Sequence, residues 1–191
     1  MKILALFLLL LVCLNNNAQV GTTRNWVDSK AKYMDASGNL VEFTNSLPKG
    51  GGVHFLNGKK YSYVIFWTRI HNQSAIPLQL QVKFSDLTFF KSTESHIKIV
   101  LPKVSMTIDK VQFFDYGLTN MQSLLNDKSK QLSTLQKQVF PKEDYYFYIP
   151  VFIHEDSGTA RAALILKGKD LFYNIRIGSD KALIPCGNLF F

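Results

Sequence analysis

The sequence predicts an all-β protein: an antiparallel two-sheet sandwich, immunoglobulin-like in layout, with an inserted amphipathic helical crossover. Three observations carry that expectation. Most of the chain alternates apolar and polar residues with period two, the alternating runs are separated by Gly- and Asn-rich turn signals, and one stretch changes to helical spacing.

The chain opens on Lys2, the apolar run Ile3 to Leu14 and then Asn16-Asn17-Ala18. A charged start, a short apolar centre and a small residue at the cut describe a secretory signal peptide over residues 1–18, cleaved between Ala18 and Gln19. The run is too short to span a bilayer. Cys13 raises the alternative of an acylated outer-membrane lipoprotein, but Val12 stands where that peptidase takes a small residue, so lipidation is disfavoured. Cleavage after Ala18 leaves Cys186 as the single thiol, with no internal disulfide available. Flanked by Ile184-Pro185 and Gly187 in a last strand, that thiol is expected to be buried. The remaining 19–191 suits one domain, and 47% hydrophobic and 13% aromatic residues supply its core.

Taken in order, Asp35-Ala36-Ser37-Gly38-Asn39 reads as a turn before the strand Leu40-Val41-Glu42-Phe43. Val53 to Leu56 and Lys59 onward flank Asn57-Gly58, a type I′ hairpin signal. Tyr61 to Ile70 is apolar on both faces, as a central strand is, and its Trp67 is a candidate core tryptophan. Leu78, Leu80, Val82 and Phe84 alternate with Gln79, Gln81 and Lys83, which describes a half-buried strand. Ile97, Ile99 and Leu101 fit another, and Val104 to Ile108 could continue past Pro102 as a bent one.

Residues 118–140 break the period. Met121, Leu124, Leu125, Leu132, Leu135 and Val139 recur at three-and-four spacing, predicting one helix or two short ones, capped by Thr119 or Asn120 and ended by Pro141. Strand period then returns. Asp144 to Ile153, a turn at His154 to Gly158, Ala160 to Leu166, a turn at Lys167-Gly168, Leu171 to Ile177, a turn at Gly178 to Asp180 and Ala182 to Phe191 form a meander. The expected total is nine to eleven strands. A small outer-membrane barrel shares the alternation and the terminal aromatic Phe191, but strands apolar on both faces and a mid-chain helix oppose it.

The formal charge is +8, or +7 once Lys2 leaves, and it comes mostly from Lys, with Arg24, Arg69, Arg161 and Arg176 as the arginines. That balance argues against nucleic acid, where Arg forks read bases. Anionic polysaccharide or lipid headgroups are compatible partners. His54, His71, His96 and His154 show no metal-ligand spacing, and no metal or other cofactor is expected. Pro48-Lys49-Gly50-Gly51-Gly52 lacks the Ser or Thr of a phosphate loop and reads as a flexible loop. No Gly-x-Ser-x-Gly elbow supports a hydrolase. His154-Glu155-Asp156 is the densest titratable cluster, and an enzyme would have to build its site there.

Two functions of different class follow. The first is a non-enzymatic interaction or structural module of the bacterial cell envelope. The second is a carbohydrate-binding module, for which Trp26, Tyr33, Phe89, Phe90, Tyr146 and Tyr148 are the candidate stacking rings. Asp109 to Leu118, Ala160 to Tyr173 and Ile184-Pro185-Cys186-Gly187 resemble stretches of exported bacterial proteins, and that resemblance implies export alone, with no activity, cofactor or catalytic residue.

Overall fold

The computed structural model describes residues 25–85, 88–89, 96–127, 134–154 and 158–191. Among them are twelve strands: β1 (Val27–Met34), β2 (Leu40–Ser46), β3 (Lys49–Leu56), β4 (Lys59–Asn72), β5 (Leu78–Lys83), β6 (Thr88–Phe89), β7 (His96–Ile99), β8 (Thr134–Val139), β9 (Asp144–His154), β10 (Ala160–Lys167), β11 (Asp170–Ile177) and β12 (Asp180–Phe190). The signal peptide expected at 1–18, with Cys13, lies outside the described residues.

The strands form two antiparallel sheets that do not close into a barrel, so the outer-membrane alternative fails on topology. The larger sheet has the order β1-β2-β4-β9-β7-β6, with β3 also on β4, and the smaller has the order β10-β11-β12-β5-β8. The chain crosses between sheets at β4–β5, β5–β6, β7–β8, β8–β9 and β9–β10. β2 and β3 are collinear on one edge of β4, with Val41 to Asn45 opposite Asn72 to Thr68 and Lys49 to Leu56 opposite Ile65 to Lys59. Pro48, which has no N–H to give, stands in the gap between them. The Asn57-Gly58 turn closes this long hairpin with φ of 50° and 76°, as type I′ geometry demands.

Gly50 to Gly52 belong to β3 rather than to a flexible loop. The strand bulges between Gly50 and Val53 because the Tyr63 ring lies against the glycine backbone, where a Cβ on Gly52 would stand 2.6 Å from a ring carbon. Gly187 answers a tighter approach: a Cβ there would lie 1.9 Å from the Gln81 carbonyl oxygen, so any other residue separates β12 from β5.

Between the sheets lies an aliphatic core that includes Val41, Phe43, Ile70, Leu80, Ile97, Ile149, Val151, Leu164, Leu171 and Ile175. A second cluster covers the outer face of the large sheet, where Tyr61, Tyr63, Ile65, Trp67, Tyr148 and Phe152 pack under Met106, Val111, Tyr116, Leu118, Met121 and Leu125. Residues 100–127 are thus a third layer. This explains why β4 and β9 are apolar on both faces, and it corrects one expectation: Trp67 is buried under the cover and not between the sheets.

The cover also corrects the reading of Val104 to Ile108, which forms no strand. It leads instead into 3-10 turns at Ile108–Gln112 and Phe114–Gly117 and a short helix, α1 (Met121–Asn126). Asn120 borders α1 without a side-chain cap bond. The helical insert expected over 118–140 is therefore found only at α1. Thr134–Val139 is strand β8, paired with β5 from Leu78↔Val139 to Lys83↔Thr134. The misreading has a simple cause, since Leu135 and Val139 are four apart, a spacing that fits one helix face and also one strand face. The middle of the expected insert, with Leu132, lies outside the described residues.

Two amide side chains pair with strand-edge backbone. Asn45 reaches from β2 to β10, accepting from the Leu164 N–H (2.9 Å) and donating to its carbonyl (3.3 Å). Gln122 of α1 treats Phe55 of β3 the same way, at 3.4 and 2.9 Å. Each fills the place that a neighbouring strand would take.

Candidate functional site

At one end of the sandwich, the turn between β1 and β2, the turn between β10 and β11 and the end of β12 leave a cleft of about 760 Å³. That volume falls in the range of small-molecule sites. Tyr33 and Met34 come from β1 because period two turns them to alternate sides of an edge strand, and Tyr33 packs edge-on to Phe43 with ring centres 5.1 Å apart. Ile76 enters from the β4–β5 connection, and Leu166, Leu189, Phe190 and Phe191 complete the apolar lining. Met34 is 72% exposed and Phe190 38%, so the lining is open to an incoming molecule.

The polar rim comprises Lys32, Asp35, Ser37, Asn39 and Lys169. Asp35 is fully engaged by its own turn. One oxygen accepts from the Ser37 and Asn39 N–H groups (2.9 and 2.8 Å) and the other from the Asn39 amide (3.0 Å). The Asn39 bond above all holds its carboxyl below the usual carboxylate range. Asp35 is consequently a fixed anion and no proton donor near neutrality. Lys32 lies 3.8 Å from Glu42, and Lys169 sits over the Phe190 ring at 6.0 Å. The cleft offers flat rings, methyl groups and a few charges, which is the equipment of a binding site.

The residues expected to carry function are scattered. Tyr33 lines the cleft. Trp26, Tyr146 and Tyr148 belong to the outer cluster, where Trp26 meets Tyr116 edge-on at 6.2 Å, Tyr146 meets Trp67 at 6.0 Å and Tyr148 is only 1% exposed. These four rings form no common solvent-facing platform. The side chain of Phe89 lies outside the described residues, as do Phe90, Glu155 and Asp156.

His154 is the last residue of β9 and is 5% exposed, not part of an open turn as its polar neighbours suggested. The register sets it opposite His96 on β7, with ring centres 4.9 Å apart. Tyr61 joins them, its hydroxyl 2.9 Å from His96 Nε2, while His154 Nδ1 lies 2.8 Å from the Lys60 carbonyl oxygen and takes the donor role there. The sequence pattern begins one strand at Ile97 and gives His154 to a turn, and it takes the register to bring the two histidines together. Among the described residues, no group of three or more His, Cys, Asp or Glu is placed to hold a metal. Cys186 is 1% exposed, and burial pushes its thiol up to about 12, so it is no nucleophile.

Sequence reasoning missed most of the cleft. Leu166, Leu189, Phe190 and Phe191 read as ordinary strand residues, and only the positions of the two turns beside them carried a signal.

Fold and cleft together define a β-sandwich-like domain with an open, ligand-sized end. No described protein family, curated protein or solved structure matches the chain.

Proposed function

We propose that this chain is a non-enzymatic interaction module exported to the bacterial cell envelope, and that the end cleft seats its ligand. The observation that carries the reading is the cleft itself: apolar and aromatic walls and a rim whose one carboxylate is locked by its own turn. In this reading residues 1–18 are a signal peptide, 19–191 form one domain, and the mature chain works in the periplasm or outside the cell. Strands that pass repeatedly from sheet to sheet support the reading of an immunoglobulin-like layout.

The second reading is a carbohydrate-binding module. Tyr33 and Phe190 beside the polar turn Asp35 to Asn39 favour it, because sugar rings stack on aromatic faces and take hydrogen bonds at their edges.

One experiment serves both. The purified mature protein is titrated with a panel of envelope oligosaccharides and a panel of amphiphiles, with amide chemical shifts followed by NMR. A binder should move Tyr33, Met34, Lys169 and Phe190, and the exposed-site variant Phe190→Ser should weaken it at least tenfold. Shifts confined to other surfaces would remove the cleft from the proposal.

A further inference from the structure

The cover on the outer face of the large sheet has two sides. Met106, Val111 and Tyr116 point into the sheet, whereas Val104, Ile108, Phe113 and Phe114 are 57%, 61%, 56% and 84% exposed. Four large apolar side chains turned to water within eleven residues is more than a monomer's surface needs to carry. The rings are displayed on a rigid base. Asp115 and Tyr116 hold left-handed backbone angles with φ of 49° and 55°, which residues with a Cβ avoid unless their surroundings enforce them. The enforcement is visible: Tyr63 donates to Asp115 (2.5 Å), Tyr116 to the Leu47 carbonyl (2.5 Å) and Tyr148 to the Tyr116 carbonyl (2.8 Å). The Lys49 ammonium donates to the carbonyls of Val111 and Phe113 at 2.8 and 2.7 Å.

We infer that the Phe113-Phe114 knuckle is an interfacial anchor that inserts into an anionic lipid bilayer surface. Aromatic rings with lysines around them are the composition that seats at the headgroup boundary. In sequence Lys103 and Lys110 border the apolar side chains; the Lys110 ammonium donates to the Ser105 carbonyl (2.8 Å) and that of Lys49 lies beneath Val111 and Phe113, so their positive charges stay beside the segment. Asp109 is the acidic residue of the segment 103–114, and its carboxylate already accepts a hydrogen bond from Thr107. Two lysines against one aspartate over residues 103–114 leave the segment net positive beside its exposed rings, which suits anionic headgroups, in keeping with a chain of net charge +8. The anchor is distinct from the end cleft. The knuckle is tied to β4 at Tyr63 and to β3 at Lys49, whereas the cleft lies beyond the opposite end of β4.

The test is co-sedimentation of the full mature chain with phosphatidylglycerol–phosphatidylcholine vesicles and with phosphatidylcholine alone. The wild type should partition onto the anionic vesicles, more weakly as salt rises, and Phe114→Ser should lose at least tenfold in partitioning. Since Phe114 is almost wholly exposed, that change leaves the fold intact. Phe114→Trp should show a blue-shifted emission on anionic vesicles. Wild type that stays in the supernatant, or a Phe114→Ser variant that binds equally, overturns the inference, including the case where the knuckle serves a protein partner instead. Ligand titration at the cleft is unaffected by Phe114→Ser, so the two readings stand or fall separately.

Discussion

Between the sheets the buried side chains are almost all Ile, Leu, Val, Ala and Phe, while in the outer cluster four tyrosines and Trp67, each tipped with a polar atom, stand among Ile, Leu, Val, Met and Phe. The difference follows from what lies on each side. Two sheets satisfy their own N–H and C=O groups along the ladder, so the surface between them needs only apolar volume. An irregular segment brings unpaired carbonyls into contact with the sheet, and something must donate to them. Tyr148 does so by hydroxyl and Lys49 by ammonium, while Lys98 donates to the Leu125 and Asp127 carbonyls at 2.6 and 2.8 Å; Tyr116 of the cover donates in return to the Leu47 carbonyl. Amphipathic side chains suit this layer because they fill space and end in a donor.

The comparison can be broken most forcefully at Gly187. Adding a Cβ forces β12 from β5 within the inner core, and Gly187→Ala should lose more than about 4 kcal/mol or fail to fold, read by urea denaturation of far-UV circular dichroism. Next, Ile149→Ala should cost about 2–5 kcal/mol as a truncation between sheets. Tyr116→Phe should cost about 1 kcal/mol, the worth of its bond to Leu47. Hydrogen exchange separates the layers: the Ile149 variant should accelerate exchange throughout, and the Tyr116 variant first within residues 100–127. Equal patterns would mean that the cover is not a separate layer in energy.

Alkali sharpens the same contrast. Burial foremost, aided by the Asp115 hydrogen bond and charge, pushes Tyr63 up to about 12, and burial does the same to Tyr148. The ordinary tyrosine value of 10 describes the unfolded chain. The protonated form is the one the fold favours, so this contribution is complete below pH 10 and is lost as pH rises through about 12. Near-UV signals from the cover should change at lower pH than the far-UV signal, because Tyr173 between the sheets is buried away from base and its hydroxyl is pushed well above the ordinary tyrosine value. Smallest is Gln122→Ala, whose bonds are exposed, expected to cost about 0.5 kcal/mol by thermal melt and to raise self-association by uncovering β3 at Phe55.

The inner layer was legible because burial between sheets imposes strict alternation: Leu78, Leu80 and Val82 read from sequence as they stand. The central strand was recognisable from Tyr61 to Ile70, but sequence alone attributed its second apolar face to general burial and not to a covering segment. Residues 100–120 carry no period because two 3-10 turns and left-handed residues set their path. Leu135 and Val139 misled through a spacing common to both regular structures. Of the site, Tyr33 was anticipated as a ring in the wrong company. Its neighbours Leu166 and Phe190 arrive from the far end of the sequence, through pairing that no local pattern encodes.

Cys186, sealed between the sheets with its thiol pushed up to about 12, gives the molecule a built-in clock. An alkylating reagent can mark that sulfur only while β12 is away from its partners, so the labelling rate of the mature protein counts openings of the sandwich directly. The same seclusion keeps an oxidant from that sulfur for as long as the sandwich stays closed.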